Sequence, residues 1–402
     1  MLNKLYLIII IIILIIIVIK VQYYFKTIEE FTTEIYVTDD RKTGKYGIAC
    51  IVDIQELDIQ EPVVASGDIP HEVIPDTDYK YLAFTHSGGS ETQTSYTVTF
   101  DEPDGTECDI LIVGGGGAGG NSMGGGGGAG GVVYTVNQTL SGSYVINVGK
   151  GGDGIALTNL TNIGQGDVSN DGNESSILNM SDNYISLDMG GVSRELRGFG
   201  GGGGGVYYDT AFVNGRNGGS GGGSAEGNAR YILQYSGGSS IQPNTLWNGT
   251  EYIQGGSSGN GNNRANHRYQ GGGGGGAGNT NYNGVIENGK TGVQIPITNE
   301  NSYYAAGGGG GQYQNNTVDQ NKGFGGSGIG GNGRIFRNYG RDHQGSIYFR
   351  NATSGQNNTG SGGGGGAYKE DPDLPAGSGG SGIVIIRYKS TKKIYRSLPV
   401  IG

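Results

Sequence analysis

The chain has 402 residues, of which 86 are glycine, 34% are hydrophobic and 15% are charged. Glycine at roughly three times its ordinary usage brings no side chain to a core and loses the most backbone freedom on folding, which weighs against a conventional large hydrophobic interior. A formal net charge of -10 argues against nucleic acid as a partner, and two cysteines, Cys50 and Cys108, are too few for a disulfide scaffold or a four-cysteine metal site.

Leu5 to Ile19 is an unbroken apolar run between Lys4 and Lys20. As a helix it spans about 22 Å, and the flanking lysines with Tyr23, Tyr24 and Phe25 carry it toward the ~30 Å of a hydrocarbon core. The residues that follow offer no small-residue cleavage site, so residues 1–26 are read as an uncleaved transmembrane anchor that meets the lipid bilayer through residues 5–25. Residues 27–80 carry many acids and Pro62, Pro70 and Pro75, the composition of a stalk or small β module.

A different pattern occupies residues 81–388. Tyr81 to Thr85, Ser95 to Phe100, Asp109 to Val113, Val132 to Val136, Tyr144 to Val148 and Ile383 to Tyr388 are strand-length and rich in β-branched and aromatic residues, with turn residues between them. Between the early strands and the last one lie glycine runs at 114–120, 124–131, 198–205, 215–223, 255–261, 271–278, 307–311, 323–333, 360–366 and 377–382, without a fixed period. Their similar lengths and near purity predict packed, extended threefold helices of the polyglycine-II form, rising about 3.1 Å per residue, rather than flexible linker. The fold expected is all-β with packed polyglycine-II helices, a small flanking β-sheet or sandwich closing the glycine-rich layers, plus one N-terminal transmembrane helix. Residues 389–402, with Lys392, Lys393 and Arg396, read as a basic, solvated tail.

Motifs that resemble catalytic or cofactor sites are explained by composition. Asp109 to Val113 followed by Gly114 to Gly119 has the letters of a dinucleotide-binding turn, yet Gly119 to Gly131 cannot form the helix that turn requires. Gly284 to Thr291 has the letters of a P-loop but reads as a hairpin around Asn288-Gly289. Gly218 to Gly222 matches a nucleophile elbow only because a serine sits in a glycine run. His71, His86, His267 and His343 stand singly without ligand spacing, and Glu370 to Asp373 reads as a solvated turn. No catalytic residue, cofactor or metal site is expected, and the chain is not read as an enzyme.

The spacers between runs are rich in Asn, Ser, Thr and aromatics, and tyrosine outnumbers phenylalanine 26 to 9. Tyr207, Tyr208, Tyr231, Tyr235, Trp247, Tyr252, Tyr269, Tyr282, Tyr303, Tyr304, Tyr313, Phe336 and Tyr339 are the candidate ligand-binding loop residues. Rigid rings beside small adaptable polar groups are the chemistry of binding loops. The same rings could equally fill the edges of the glycine layers.

The strand ending in DILIVGGGGAGG, the runs GGGGGAGG and GGGGGGAG, and the closing SGGSGIVIIRY (Ser378 to Tyr388) resemble the glycine-rich domain of viral and environmental proteins. They are similar to the polyglycine-II sandwich of phage tail-fibre adhesins, whose runs form a layer and whose intervening segments form a receptor-binding tip. The resemblance implies a surface or virion adhesin with host-surface carbohydrate or protein as partner. The N-terminal anchor departs from those adhesins and implies a single-pass protein of a virion or host-cell membrane, its C-terminal domain exposed. The alternative is a purely structural surface protein: matrix, capsid-associated or ice-associating.

Overall fold

The computed structural model describes residues 35–40, 45–65, 69–156, 170–188, 193–208, 211–212, 214–226, 236–243, 245–246, 252–260, 270–278, 281–314, 322–337, 347–367 and 374–397. The segment read as an anchor lies outside them, and among the described residues no helix is long and apolar enough to cross a membrane. The chain divides into two compact units, Gln60–Lys389 and the pair Met1–Ile59 with Ser390–Gly402. In the smaller unit Ile35–Asp40, Lys45–Asp58 and Thr391–Ser397 form an antiparallel three-stranded sheet. The basic C-terminal segment is therefore a strand, with Arg396 in register with Asp53 and Lys393 with Glu56.

The larger unit begins at Gln60, because Val63–Val64 and Glu72–Val73 already pair with its sheets. It is all-β, with no α-helix among the described residues. One sheet has five strands, in the order Arg197–Gly198, Ser175–Asn179, Gly142–Gly149, Gln93–Phe100 and Val63–Val64. A second, facing it, has seven: Thr245–Leu246, Tyr252–Gly255, Val132–Leu140, Thr106–Val113, Ile383–Lys389, Tyr79–Thr85 and Glu72–Val73, and smaller two- and three-stranded sheets lie outside this pair. Each of the six strands expected from sequence lies within one of these. Side chains alternate across a strand. Cys108, Ile110 and Ile112 join Val98, Phe100, Ile146 and Val148 in the core between the sheets, while Leu111 and Val113 pack on the other face against Ile295, Ile297 and Tyr304. The central strands are thus covered on both faces, which is why they read as continuous apolar runs. Cys108 is a free, buried thiol whose pKa burial pushes up.

The glycine runs leave this sandwich from the ends of its strands. Run 124–131 shows the rule. The N–H groups of Gly124, Gly127 and Gly130 donate to the carbonyls of Gly366, Gly363 and Gly360; those of Gly125, Gly128 and Gly131 to Gly205, Gly202 and Phe199; those of Gly126 and Ala129 to Gly272 and Gly275, all at 2.7–3.0 Å. Its carbonyls accept from Gly120, Gly117 and Gly114 of one segment, Gly223 and Ser220 of a second, and Gly311 and Gly308 of a third. Bonding direction repeats every third residue, so this run has six neighbours, three it donates to and three it accepts from. A β-strand has two. At its glycine positions this approach leaves no room for a side chain: a Cβ on Gly127 would stand 2.0 Å from the Gly117 carbonyl oxygen, whereas the Ala129 methyl packs with Val132 and Ala277.

At the edges, side chains replace the missing neighbours. Asn214 and Asn217 accept the N–H groups of Ser236 and Ser239, Asn288 that of Phe324, Asn332 that of Gly325, and the Asp171 carboxylate that of Gly203, all at 2.7–3.1 Å. Buried backbone donors need partners. The runs are therefore bordered by Asn and Asp where a neighbouring run is missing.

Gly127→Ala should cost about 1–3 kcal/mol or abolish folding, whereas Gly89→Ala, whose Cβ would meet only Ser87 Oγ at 3.9 Å, should be neutral; thermal melting by circular dichroism checks both. A second expectation concerns acid. A hydrogen bond from Lys80, reinforced by the charges of His71 and Lys80 against the opposing effect of burial, holds the Glu61 carboxyl below its ordinary value of 4.5. Its contribution is present above that unfolded value and is lost as pH falls through the depressed folded one. The group is 41% exposed, so the effect is small. Glu61→Gln should lower the melting temperature near pH 7, and the difference should vanish by about pH 3.

Candidate functional site

Runs 114–120 and 124–131 are joined at the end away from the sheets by Asn121-Ser122-Met123. Ser122 and Met123 have φ of 54° and 51°, the left-handed conformation that a tight reversal demands. Asn121 Nδ2 donates to Ile155 O at 2.8 Å and Leu374 O at 3.4 Å, and its Oδ1 accepts the Ser122 N–H at 3.1 Å. Tyr207 N–H donates to Ser122 O at 3.2 Å, Glu226 N–H to Met123 O at 3.1 Å, and Met123 N–H to Ala367 O. Met123 packs with Tyr313, Phe336 and Ala367, with Tyr207 partly buried beside them. Gln270 bridges Gln312 in the same region.

These contacts have one consequence for topology. Ile155, Tyr207, Glu226, Gln270, Gln312 to Gln314, Ile335–Arg337, Ala367 and Leu374 are places where the chain leaves or rejoins the array, and they ring Asn121-Ser122-Met123. The segments 157–169, 209–210, 227–235, 261–269, 315–321, 338–346 and 368–373 thus start and end at one end of the glycine array. Runs of similar length produce this, since each turn at the sheet end returns the chain to the same far end.

The candidate residues divide accordingly. Tyr207 and Tyr208 pair with Phe212 and Ala211 in a hairpin at that end. Tyr231, Tyr235, Tyr269 and Tyr339 lie outside the described residues, in segments whose flanks meet there. Tyr313 and Phe336 are buried and stacked, ring centroids 5.7 Å apart and 16° from parallel. The others lie elsewhere. Trp247 is outside the described residues, next to Thr245–Leu246 at the edge of the seven-stranded sheet, and Tyr252 belongs to the adjoining strand Tyr252–Gly255. Tyr282 is in a short 3-10 turn of the hairpin that pairs Asn281 with Lys290, where the P-loop letters fall. Tyr304 is buried on the sheet face, which pushes its hydroxyl pKa up to about 12, while Tyr303, its neighbour in Ser302–Tyr304, is exposed.

Nothing in the local sequence marks the charged groups at the far end. Glu226, Glu287 and Arg334 are buried there, and Lys322 pairs with Glu287 at 3.4 Å. Only the Asn121-Ser122-Met123 break was visible, because three non-glycines between two runs must be a turn. Elsewhere, polar grooves of about 440 and 450 Å³ flank Lys150 and Asp153, which pair at 2.8 Å, and among the described residues no Tyr, Trp or Phe lines either one. Among the described residues no group of three or more His, Cys, Asp or Glu is placed to hold a metal ion.

A family model described as a glycine-rich domain matches residues 91–389, from just before Gln93–Phe100 to the end of Ile383–Lys389. The chain belongs to this glycine-rich domain family. No curated protein matches it. The glycine-rich domain so delimited contains every run of the array and the whole far end, but not Tyr79–Thr85, the strand beside its closing one.

Asn121→Ala removes the donor shared by Ile155 and Leu374. It should speed amide hydrogen exchange around 155 and 374 by about tenfold, the effect of roughly 1–2 kcal/mol, and leave the sandwich strands unchanged; exchange with mass spectrometric readout checks this.

Proposed function

We propose that this glycine-rich protein is a membrane-anchored surface or virion adhesin. Its runs form a packed array of the polyglycine-II type, and the segments at the far end contact host-surface carbohydrate or protein. The observation that supports the reading is topological: 227–235, 261–269 and 338–346, which contain Tyr231, Tyr235, Tyr269 and Tyr339, are all held at their bases by one end of the array. Variable sequence on a fixed base suits recognition, because the scaffold does not change when the contacts do. The apolar stretch Leu5 to Ile19 supports single-pass anchoring, with the larger unit exposed. No catalytic role, cofactor or nucleic-acid partner forms part of this proposal.

The second reading is a structural surface protein without a specific receptor. Burial of Tyr304, Tyr313 and Phe336 favours it, since these rings fill space beside the array instead of facing outward.

The full chain in lipid nanodiscs, applied to a glycan array and to host-membrane protein fractions, separates the two. Adhesion predicts binding that drops at least tenfold when 227–235 and 261–269 are replaced by glycine-serine segments of equal length, with the melting temperature unchanged. Binding that survives both replacements and that of 338–346 would refute recognition by these segments, and no binding in either format would favour the structural reading.

A further inference from the structure

Three side chains at the far end form a group that display does not require. Lys322 Nζ lies 3.4 Å from Glu287 Oε1 and 3.5 Å from the amide oxygen of Gln270. Glu287 is 1% exposed and Gln270 6%, so both are withdrawn from water. Their backbones are fixed: Gly310 N–H donates to Glu287 O and Arg350 Nη2 to Lys322 O, each at 2.8 Å, and Gln270 bridges Gln312. The Lys322 amine thus reaches both the Glu287 carboxylate and the Gln270 carboxamide, which brings together the nucleophile, proton acceptor and acyl group that amide exchange requires.

We propose that Lys322 and Gln270 become joined by an isopeptide bond, with Glu287 as the proton carrier. Glu287 takes a proton from the Lys322 ammonium, and the freed lone pair on Nζ attacks Gln270 Cδ. The new C–N bond forms as a tetrahedral intermediate. Its collapse breaks the bond from Cδ to the original amide nitrogen, which takes a proton from Glu287 and leaves as ammonia, while the surplus proton on Nζ passes through the freed Glu287 carboxylate to that ammonia and makes it ammonium. Lysine ammonium plus glutamine amide thus give the secondary amide and one ammonium ion, with no oxidant or cofactor. Exclusion of water protects the intermediate from hydrolysis and strengthens the charge interactions within the group. The product ties the start of run 271–278 to the start of run 323–333, at the bases of segments 261–269 and 315–321. Its role is mechanical, since two segment bases could then not be pulled apart without breaking a covalent bond.

Mass spectrometry of the folded full chain tests this. The wild-type protein should be lighter than its sequence by one ammonia, and after trypsin Lys322 should be uncut and linked to peptide 269–290 through Gln270. The linked peptide decides the matter, because Asn-Gly pairs such as Asn288-Gly289 also lose ammonia by cyclisation. Lys322→Arg, which keeps the ion pair, should show no link, and Glu287→Gln should form it at least tenfold more slowly. Lys322 cleaved normally in wild-type protein shown to be folded by circular dichroism would overturn the proposal and leave a simple ion pair. A link to Glu287 with loss of water would overturn it as well.

Discussion

A peptide unit has one donor and one acceptor, and the glycine array depends on aiming them in a direction that turns through a third of a circle at each residue. In a β-sheet the same groups lie in one plane and bond two neighbours. Here run 124–131 bonds six, and the array grows in two dimensions without a side-chain core. The close approach that makes those bonds is what forbids a Cβ. Glycine is thus required by contact within the array, and where a neighbouring run is missing Asn214, Asn217, Asn288 and Asn332 supply carbonyls of their own. Hydrogen bonds contribute only about 1 kcal/mol each in net terms, so the array needs many of them, made cooperatively, to offset the freedom that glycine loses.

The sandwich supplies what the array lacks. Its strands bury Ile, Leu, Val and Phe on both faces of the seven-stranded sheet, and they fix the register with which the runs begin. Val113 pairs with Val132, and the same antiparallel pairing continues through Gly114 with Gly131, Gly117 with Gly128 and Gly120 with Gly125, now at every third residue. Strand and run form one ladder whose period changes where the side chains stop. The edge asparagines have a further effect. An exposed row of backbone donors invites another chain to pair with it, and a side-chain carbonyl already bonded to such a donor blocks that growth.

Much of this was legible in the residues. β-branched and aromatic runs marked the six principal strands, and the length and purity of the glycine runs marked an ordered array. Which run pairs with which was not legible, because identical glycines carry no record of their neighbours. The boundary at Gln60 was hidden in two-residue strands, Val63–Val64 and Glu72–Val73, too short for any periodicity. The segment after Lys389 looked like a charged tail, since its partner Lys45–Asp58 lies more than three hundred residues away in sequence. The aromatics were ambiguous for a physical reason: a tyrosine such as Tyr313 has the same local sequence whether it plugs a gap against Phe336 or faces solvent.

Ile383–Lys389 lies between Thr106–Val113 and Tyr79–Thr85, with both as direct partners. A ribosome delivers that strand long after both of its partners, so until it emerges the growing chain carries a sheet split at its centre, with two bare apolar edges facing a gap. Long-range closure of this kind is slow and leaves nascent chains open to aggregation. Prematurely terminated translation products of this protein thus lack the one segment that would hide their edges, which marks them for chaperones and proteases.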